Sequence, residues 1–290
     1  MADKEINNQY DFYKEVRIDG NGGLIVAQES GTASEDYFIN HAIANILADT
    51  GDVVSVASAQ KDLLKFGRNR LCNISKTTLM TLPIGTDNEV LLSANDITTI
   101  SSDDAADTVE VKVEGHTIAA GVFTFVVQTA TLNGQNQVTL TTPLARVSRV
   151  VNNSATDLVG DIYVYETDTT TAGVPDTDAK VHIMIEAGFN NSEKAATTIS
   201  GTQYWILTSF YADCLEKKSD YGTVHLEVRE QGKTFINKVD ISASTHANGD
   251  HFFKPYLIVP KNADIRLRVS ASTAGKDFSG GIQGTLLGIV

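Results

Sequence analysis

Hydrophobic positions change their period near residue 70. Before it, "TASEDYFINHAIANILADTG" brings Phe38, Ala42, Ile43, Ile46 and Leu47 round at helical spacing. Thr32 and Glu35 stand at capping-box spacing, and Gly51 supplies a C-terminal stop. This pattern predicts a helix, and "SAQKDLLKFG", stopped by Gly67, predicts a second short one. Residues 1–30 are polar and carry the glycines of "GNGG" (Gly20–Gly23), so they read as an arm or irregular lead-in.

Beyond about Leu71 the period becomes two. "TVEVKVEG" alternates Val109, Val111 and Val113 with Glu110, Lys112 and Glu114, the pattern of a half-buried strand. Asn133-Gly134, a strong turn dipeptide, predicts a hairpin from about Val122 to Leu140. "GDIYVYETD" and "VHIMIEAG" read as strands around the loop "TDTTTAGVPDTDAK". Further on, Tyr204, Ile206, Thr208 and Phe210 are expected on one side of a strand and Trp205, Leu207, Ser209 and Tyr211 on the other. "GTVHLEVREQG" places Val224, Leu226 and Val228 opposite His225, Glu227 and Arg229, with a tight turn at Gly232. Two strands meet around Pro260, and "GGIQGTLLGIV" supplies one more. Short strands at turn-punctuated spacing predict a mainly β fold: antiparallel β-sandwich domains of jelly-roll type with a short N-terminal helical element. The expected division is 1–70 arm and helical lead-in, 71–200 middle β-domain, and 201–290 C-terminal jelly-roll-like sandwich.

Composition agrees with this class. Hydrophobic residues make up 42% of the 290 and charged residues 20%, the rest being rich in Thr, Ser, Asn and Gly. A formal net charge of −13 repels phosphate backbones and argues against nucleic acid as a partner. No apolar run is long enough to span a membrane, so no membrane partner is expected. "MADKEINNQYDFYKEVRIDG" has no apolar core, so no signal peptide is expected there. Cys72 and Cys214 are far apart and match no ligand or redox motif, which predicts two reduced thiols and folding in a cytoplasm.

Candidate chemistry is sparse. His246, Asp250 and His251 flank "ANGD", a spacing that matches no zinc pattern. Asp103, Asp104 and Asp107 cluster in "SSDDAADT", but an EF-hand counted from Asp103 meets Thr108 where glycine is needed and Glu114 at the twelfth position. "TDTTTAGVPDTD" is a second acidic loop. His41 falls in the helix and His225 on a polar strand face. Serines are plentiful, yet none sits in a nucleophile elbow, and no phosphate or dinucleotide fingerprint appears. A hydrolase with dispersed carboxylates stays open, because its acid and base need not be close in sequence. Trp205, Tyr204, Tyr211, Tyr221 and Tyr256 could form a sugar-stacking surface, although alternation sends Tyr204 and Trp205 to opposite faces. The expectation is an absence of catalytic, cofactor-binding and metal residues, and of any cofactor.

One stretch carries a resemblance. Its features are a Ser/Asp-rich opening, "DTVEVKVEG", "TLNG" followed by Val138, "RVSRV" and "GDIYV", with "PKNADIRLRVSA" later. From about residue 95 to 290 the chain resembles virion structural proteins of tailed bacteriophages, especially marine ones. The resemblance implies a non-enzymatic virion protein made in the host cytoplasm. It would be capsid-associated, as a decoration or minor head protein, with a tail or fibre-attachment component binding a receptor or carbohydrate as the alternative. Implied partners are the protein itself, as a homo-oligomer with a trimer favoured, other virion proteins, and in the alternative a host glycan. The resemblance carries over no catalytic residue, and the helical lead-in lies outside it.

Overall fold

A computed structural model describes residues 12–18, 24–29, 35–56, 62–83, 89–215, 220–245 and 249–290. Gly20–Gly23, the Thr32 cap and His246 lie outside the described residues.

Strand β1 (Phe12–Ile18) pairs antiparallel with β2 (Leu24–Glu29), so the expected irregular lead-in contains a hairpin. β-branched runs such as Ile25-Val26 are too short to stand out in a polar segment. Helix α1 (Glu35–Thr50) is where the periodicity puts it. It ends as Gly51 turns to φ +75° and its N–H bonds the Leu47 carbonyl at 3.0 Å. Ala42 and Ile46 are buried against Val54, Tyr204, Ile206 and Leu287.

After β3 (Val54–Val56), β4 (Asp62–Cys72) stands where a second helix is expected, followed by β5 (Thr77–Thr78). The reason is tertiary. Gly67 is a point of close approach rather than a helix stop, since a Cβ there would sit 2.0 Å from the Leu79 carbonyl oxygen and 2.2 Å from the Ala195 nitrogen.

A β-unit follows: β6 (Ile97–Ser102), β7 (Glu110–Ala119), β8 (Val122–Thr131), β9 (Val138–Leu144), β10 (Arg146–Asn152), β11 (Ile162–Glu166), β12 (Thr170–Thr171), β13 (Val174–Pro175) and β14 (Val181–Ile185). Sheets β10-β7-β8 and β14-β11-β6-β9 face each other over Ile100, Val111, Val113, Leu144, Val150, Val164 and Ile183. The expected hairpin across Asn133-Gly134 is not formed. The chain does bend there, with Gly134 at φ +55°, but β8 pairs with β7 and β9 with β6. The hairpin is instead β7–β8, closed by Ala120-Gly121 with both residues at positive φ.

The remaining strands are β15 (Ala196–Thr198), β16 (Gln203–Cys214), β17 (Tyr221–Arg229), β18 (Ile236–Ser244), β19 (Gly249–Val259), β20 (Asp264–Ala271) and β21 (Lys276–Ile289). One sheet runs β19-β16-β21 with β4 and β3 on β21; the other runs β18-β17-β20 with β15 and β5 on β20. Counting β4, β5 and β16 to β21 in sequence, the first strand pairs with the eighth, the eighth with the third, and the third with the sixth. Opposite them, the second pairs with the seventh, the seventh with the fourth, and the fourth with the fifth. That is a jelly roll. β4 and β5, which the sequence division assigns to the lead-in and the middle unit, are its first two strands. The mainly antiparallel β class is as the pattern predicts, with α1 as the one α-helix among the described residues.

Trp205, Leu207, Phe210, Leu226, Leu267, Phe278 and Ile282 fill the space between the jelly-roll sheets. Strict alternation along β16 fails at Thr208, where the register shifts against both neighbours. The bulge puts Phe210 on the same face as Trp205 and Leu207, not with Tyr204 and Ile206, which pack under α1.

Candidate functional site

The aromatic residues considered for sugar stacking do not converge. Trp205 is 0% exposed and Tyr204 2%. The Tyr204 hydroxyl donates to Asp52 at 2.5 Å, and the Tyr256 hydroxyl lies 2.6 Å from Nδ1 of His41. Tyr221 is well exposed at the start of β17, in the other sheet, while Tyr211 lies over Gly281 on the outer face of its own.

The acidic loop is a structural knot. Asp107 is buried and accepts from Ser102 Oγ at 2.6 Å and from the N–H groups of Val159 and Gly160 at 2.9 Å each. Asp103 accepts the Asp161 N–H at 2.8 Å, and Asp104 the Ala106 N–H at 2.7 Å. These carboxylates tie the β6–β7 loop to the β10–β11 loop. In the second acidic loop Asp176 accepts from Thr169 and Thr171, and Asp168 from Thr177 and Lys180. Among the described residues no three His, Cys, Asp or Glu side chains converge as metal ligands. His251 lies among aromatic rings, 4.7 Å from the Phe253 centroid and 5.6 Å from that of Phe210. His225 bonds Asp240 at 2.6 Å. Cys72 and Cys214 are buried and not disulfide-bonded, and burial pushes the Cys72 thiol far up.

A buried ion-pair network lies where the inserted β-unit meets the jelly roll. Asp264, at the start of β20, accepts from Arg146 Nε at 3.0 Å, Thr198 Oγ1 at 2.6 Å and Arg229 Nη2 at 2.5 Å. Burial alone would raise its pKa, but these partners hold it below the ordinary value. Arg146 comes from β10 of the inserted unit; its guanidinium stands 5.0 Å from the Phe123 ring centroid. Phe123 is clasped in turn: its N–H donates to Asn262 at 2.9 Å and its carbonyl accepts from Gly201 at 2.7 Å. On β17, Glu227 bonds Lys76 at 2.8 Å and Arg266 at 3.0 Å, and its pKa is lowered by them against the effect of burial.

Nearby, burial lowers Lys65 to about 8 and His116 to about 3. Nδ1 of His116 has no hydrogen-bond partner among the described residues. None of these residues stood out in the sequence, because the partners are separated by long stretches and lie in different units. Alternation along β17 marks Glu227 and Arg229 as polar, which is correct, but Glu227 is 5% exposed. Among the described residues no helix is long and apolar enough to cross a membrane.

A groove of about 730 Å³ runs between the C-terminal end of α1 and the β17–β18 turn, lined by Ile46, Val228, Lys233, Ile236 and Ile258 among others. Asp49, Glu230 and Lys238 also lie along its wall.

No protein-family model matches the chain, and no curated protein sequence matches it. Two solved structures show a loose likeness. One, from the structure of the infectious bursal disease virus Gt strain, is 11% identical with a TM-score of 0.21, over 81% of this chain and 69% of that one. The other, from the infectious bursal disease virus VP2 subviral particle, is 11% identical with a TM-score of 0.23, over 87% of this chain and 77% of that one. Superpositions this loose carry no functional weight.

Proposed function

We propose that the chain is a non-enzymatic structural protein of a virus particle, capsid-associated in a tailed phage as a decoration or minor head protein. The observation that supports this most is the topology: an eight-strand jelly roll whose interior is solid apolar packing, with a second β-unit inserted between its second and third strands. Jelly rolls serve as viral capsid domains, lectins and cupins. A ligand-binding barrel needs an open interior, which here is filled by Trp205, Phe210 and Phe278. A lectin built on Trp205 or Tyr204 needs those rings in solvent, and both are buried. The particle role rests on fold-level analogy together with the phage resemblance.

In this reading, residues 62–80 and 196–290 form the jelly roll and residues 81–195 the inserted unit. The protein assembles with itself, a trimer first, and with other virion proteins. The alternative, a tail or fibre-attachment component, would use exposed rings such as Tyr221 and Phe252 to meet a receptor or host glycan. Mass spectrometry of purified particles tests the choice. Hundreds of copies per virion support the capsid placement, about six to eighteen support the tail, and absence from the particle refutes both.

A further inference from the structure

We infer that the free edge of β8 pairs antiparallel with β8 of a second copy, about a two-fold axis near Val127. Backbone accounting leads there. Ala119 and Val122 flank the two-residue turn of the β7–β8 hairpin, so they exchange hydrogen bonds, and Thr124, Val126, Gln128 and Ala130 follow suit with β7. The N–H and C=O groups of Phe123, Phe125, Val127 and Thr129 therefore point away from β7. Phe123 bears this out, with its N–H on Asn262 and its carbonyl on Gly201. Among the described residues Phe125, Val127 and Thr129 have no such backbone partner, because β8 is the last strand of its sheet there.

An unpaired strand edge is a template for another strand, and proteins blunt such edges with charge, proline or bulges. Among the described residues, four other edge strands are blunted. β18 carries Lys238 and Asp240, β19 contains Pro255 and an irregular register, and β9 contains Pro143. β4 carries Asp62, Lys65, Arg68 and Arg70. β10 is bonded through Asn152 and Val150 to the segment that holds Asn190 and Ser192. β8, "VFTFVVQTAT", has no charge, no proline and no glycine, and Phe125 and Val127 are 38% and 53% exposed.

The occupant follows from charge and symmetry. Two copies of a chain at −13 repel at most contacts, and an uncharged strand is a place where they meet without opposing like charges. Pairing centred on Val127 sets Val127 against its own copy and Phe125 against Thr129 on both sides, so one surface serves both partners. The two three-stranded sheets become one continuous sheet. A single strand pair is a small interface, so the association is weak for isolated protein and strengthens where copies are concentrated. It is a different contact from the three-fold one proposed above and stands on the strand edge alone, whatever the particle.

Cysteine cross-linking tests it. In a two-fold pair the Val127 Cα atoms lie about 5.5 Å apart, within disulfide range. Both native cysteines are buried. Under mild oxidation Val127→Cys should give a species of twice the chain mass at least tenfold faster than Val159→Cys, an exposed site elsewhere. Val127→Pro removes an outward N–H on an edge strand, where proline is tolerated, so circular dichroism should be unchanged while light scattering at high concentration shows the mass halved; Val127→Lys should do the same. Equal cross-linking at both sites, or an unchanged mass in the folded Lys variant, overturns the pairing. Either result leaves the virion reading to its own particle measurement.

Discussion

Asp264→Asn is the most informative single change, because it keeps the shape of the side chain and removes its charge. Asp264 is 3% exposed and Arg146 5%, so the substitution leaves a guanidinium in a dry junction without its counter-ion. Breaking a buried pair in this way costs about 3–5 kcal/mol. Arg229 is freer to turn toward solvent, its side chain being 22% exposed, so Arg146 dominates the loss. At about 2–4 °C per kcal/mol, Tm should fall by roughly 6–20 °C. Denaturant titration followed both by Trp205 fluorescence, which reports on the jelly roll, and by far-ultraviolet circular dichroism gives the free energy. Arg146→Met should cost less than Asp264→Asn, because Arg229 and Thr198 still partner the carboxylate. The double variant should cost less than the sum of the two, as it removes both charges together. A loss below about 1 kcal/mol, the scale of a solvent-screened pair, would refute the claim that this junction is dry and charge-paired.

Other expectations follow from the same structure. Trp205→Ala should cost about 3–5 kcal/mol, and emission of the native protein should be blue-shifted and poorly quenched; a red-shifted, readily quenched Trp205 would contradict its burial. Gly67→Ala separates strand from helix by sign: on a helix it would stabilise by about 1 kcal/mol, whereas the close backbone contacts in β4 make it destabilising by about 1–3 kcal/mol in a thermal melt. His116 is held near 3 in the folded chain by burial, with Lys65 and Arg146 adding to it. The unfolded chain takes up that proton first, so its contribution is complete above about pH 6.5 and is lost by about 1.4 kcal/mol per pH unit as pH falls toward 3. His116→Phe should flatten that part of the stability–pH curve, and an unchanged slope would show that other groups set it.

Class and helix were legible because they depend on local period. Val111 and Val113 on β7, and Val224, Leu226 and Val228 on β17, alternate as a sheet with one apolar face must, and α1 repeats at its own spacing. Partnership was not legible. Asn133-Gly134 signals a bend, and the bend is there, but a turn dipeptide says nothing about which strands its flanks join when both have better partners elsewhere. "LLKFG" reads equally as a helix end or a strand until β21 is brought alongside it. The Thr208 bulge has no signature in the alternation and reverses the face of every residue after it. The polar face of β17 gives no sign of its partners, because they come from far along the chain, Lys76 for Glu227 among them.

The inserted unit leaves and re-enters the jelly roll through neighbouring backbone. Met80 bridges to Lys194, the Thr81 N–H bonds the Glu193 carbonyl at 3.0 Å, and the Ala195 N–H bonds that of Leu79 at 2.9 Å. An insertion held only by such a crossing could swing. Here Arg146 reaches across to Asp264, Lys65 to the Ser148 carbonyl, and Asn262 and Gly201 clasp Phe123. Mobile lids have few buried contacts and exposed hydrogen bonds; this junction has buried charge pairs and bonded backbone on both sides. Charge pairs in a dry junction add little net stability over apolar packing, but they punish misregistration heavily. The chemistry therefore favours one fixed orientation of the two β-units, which suits a part that must present the same surfaces in every copy of a repeating assembly.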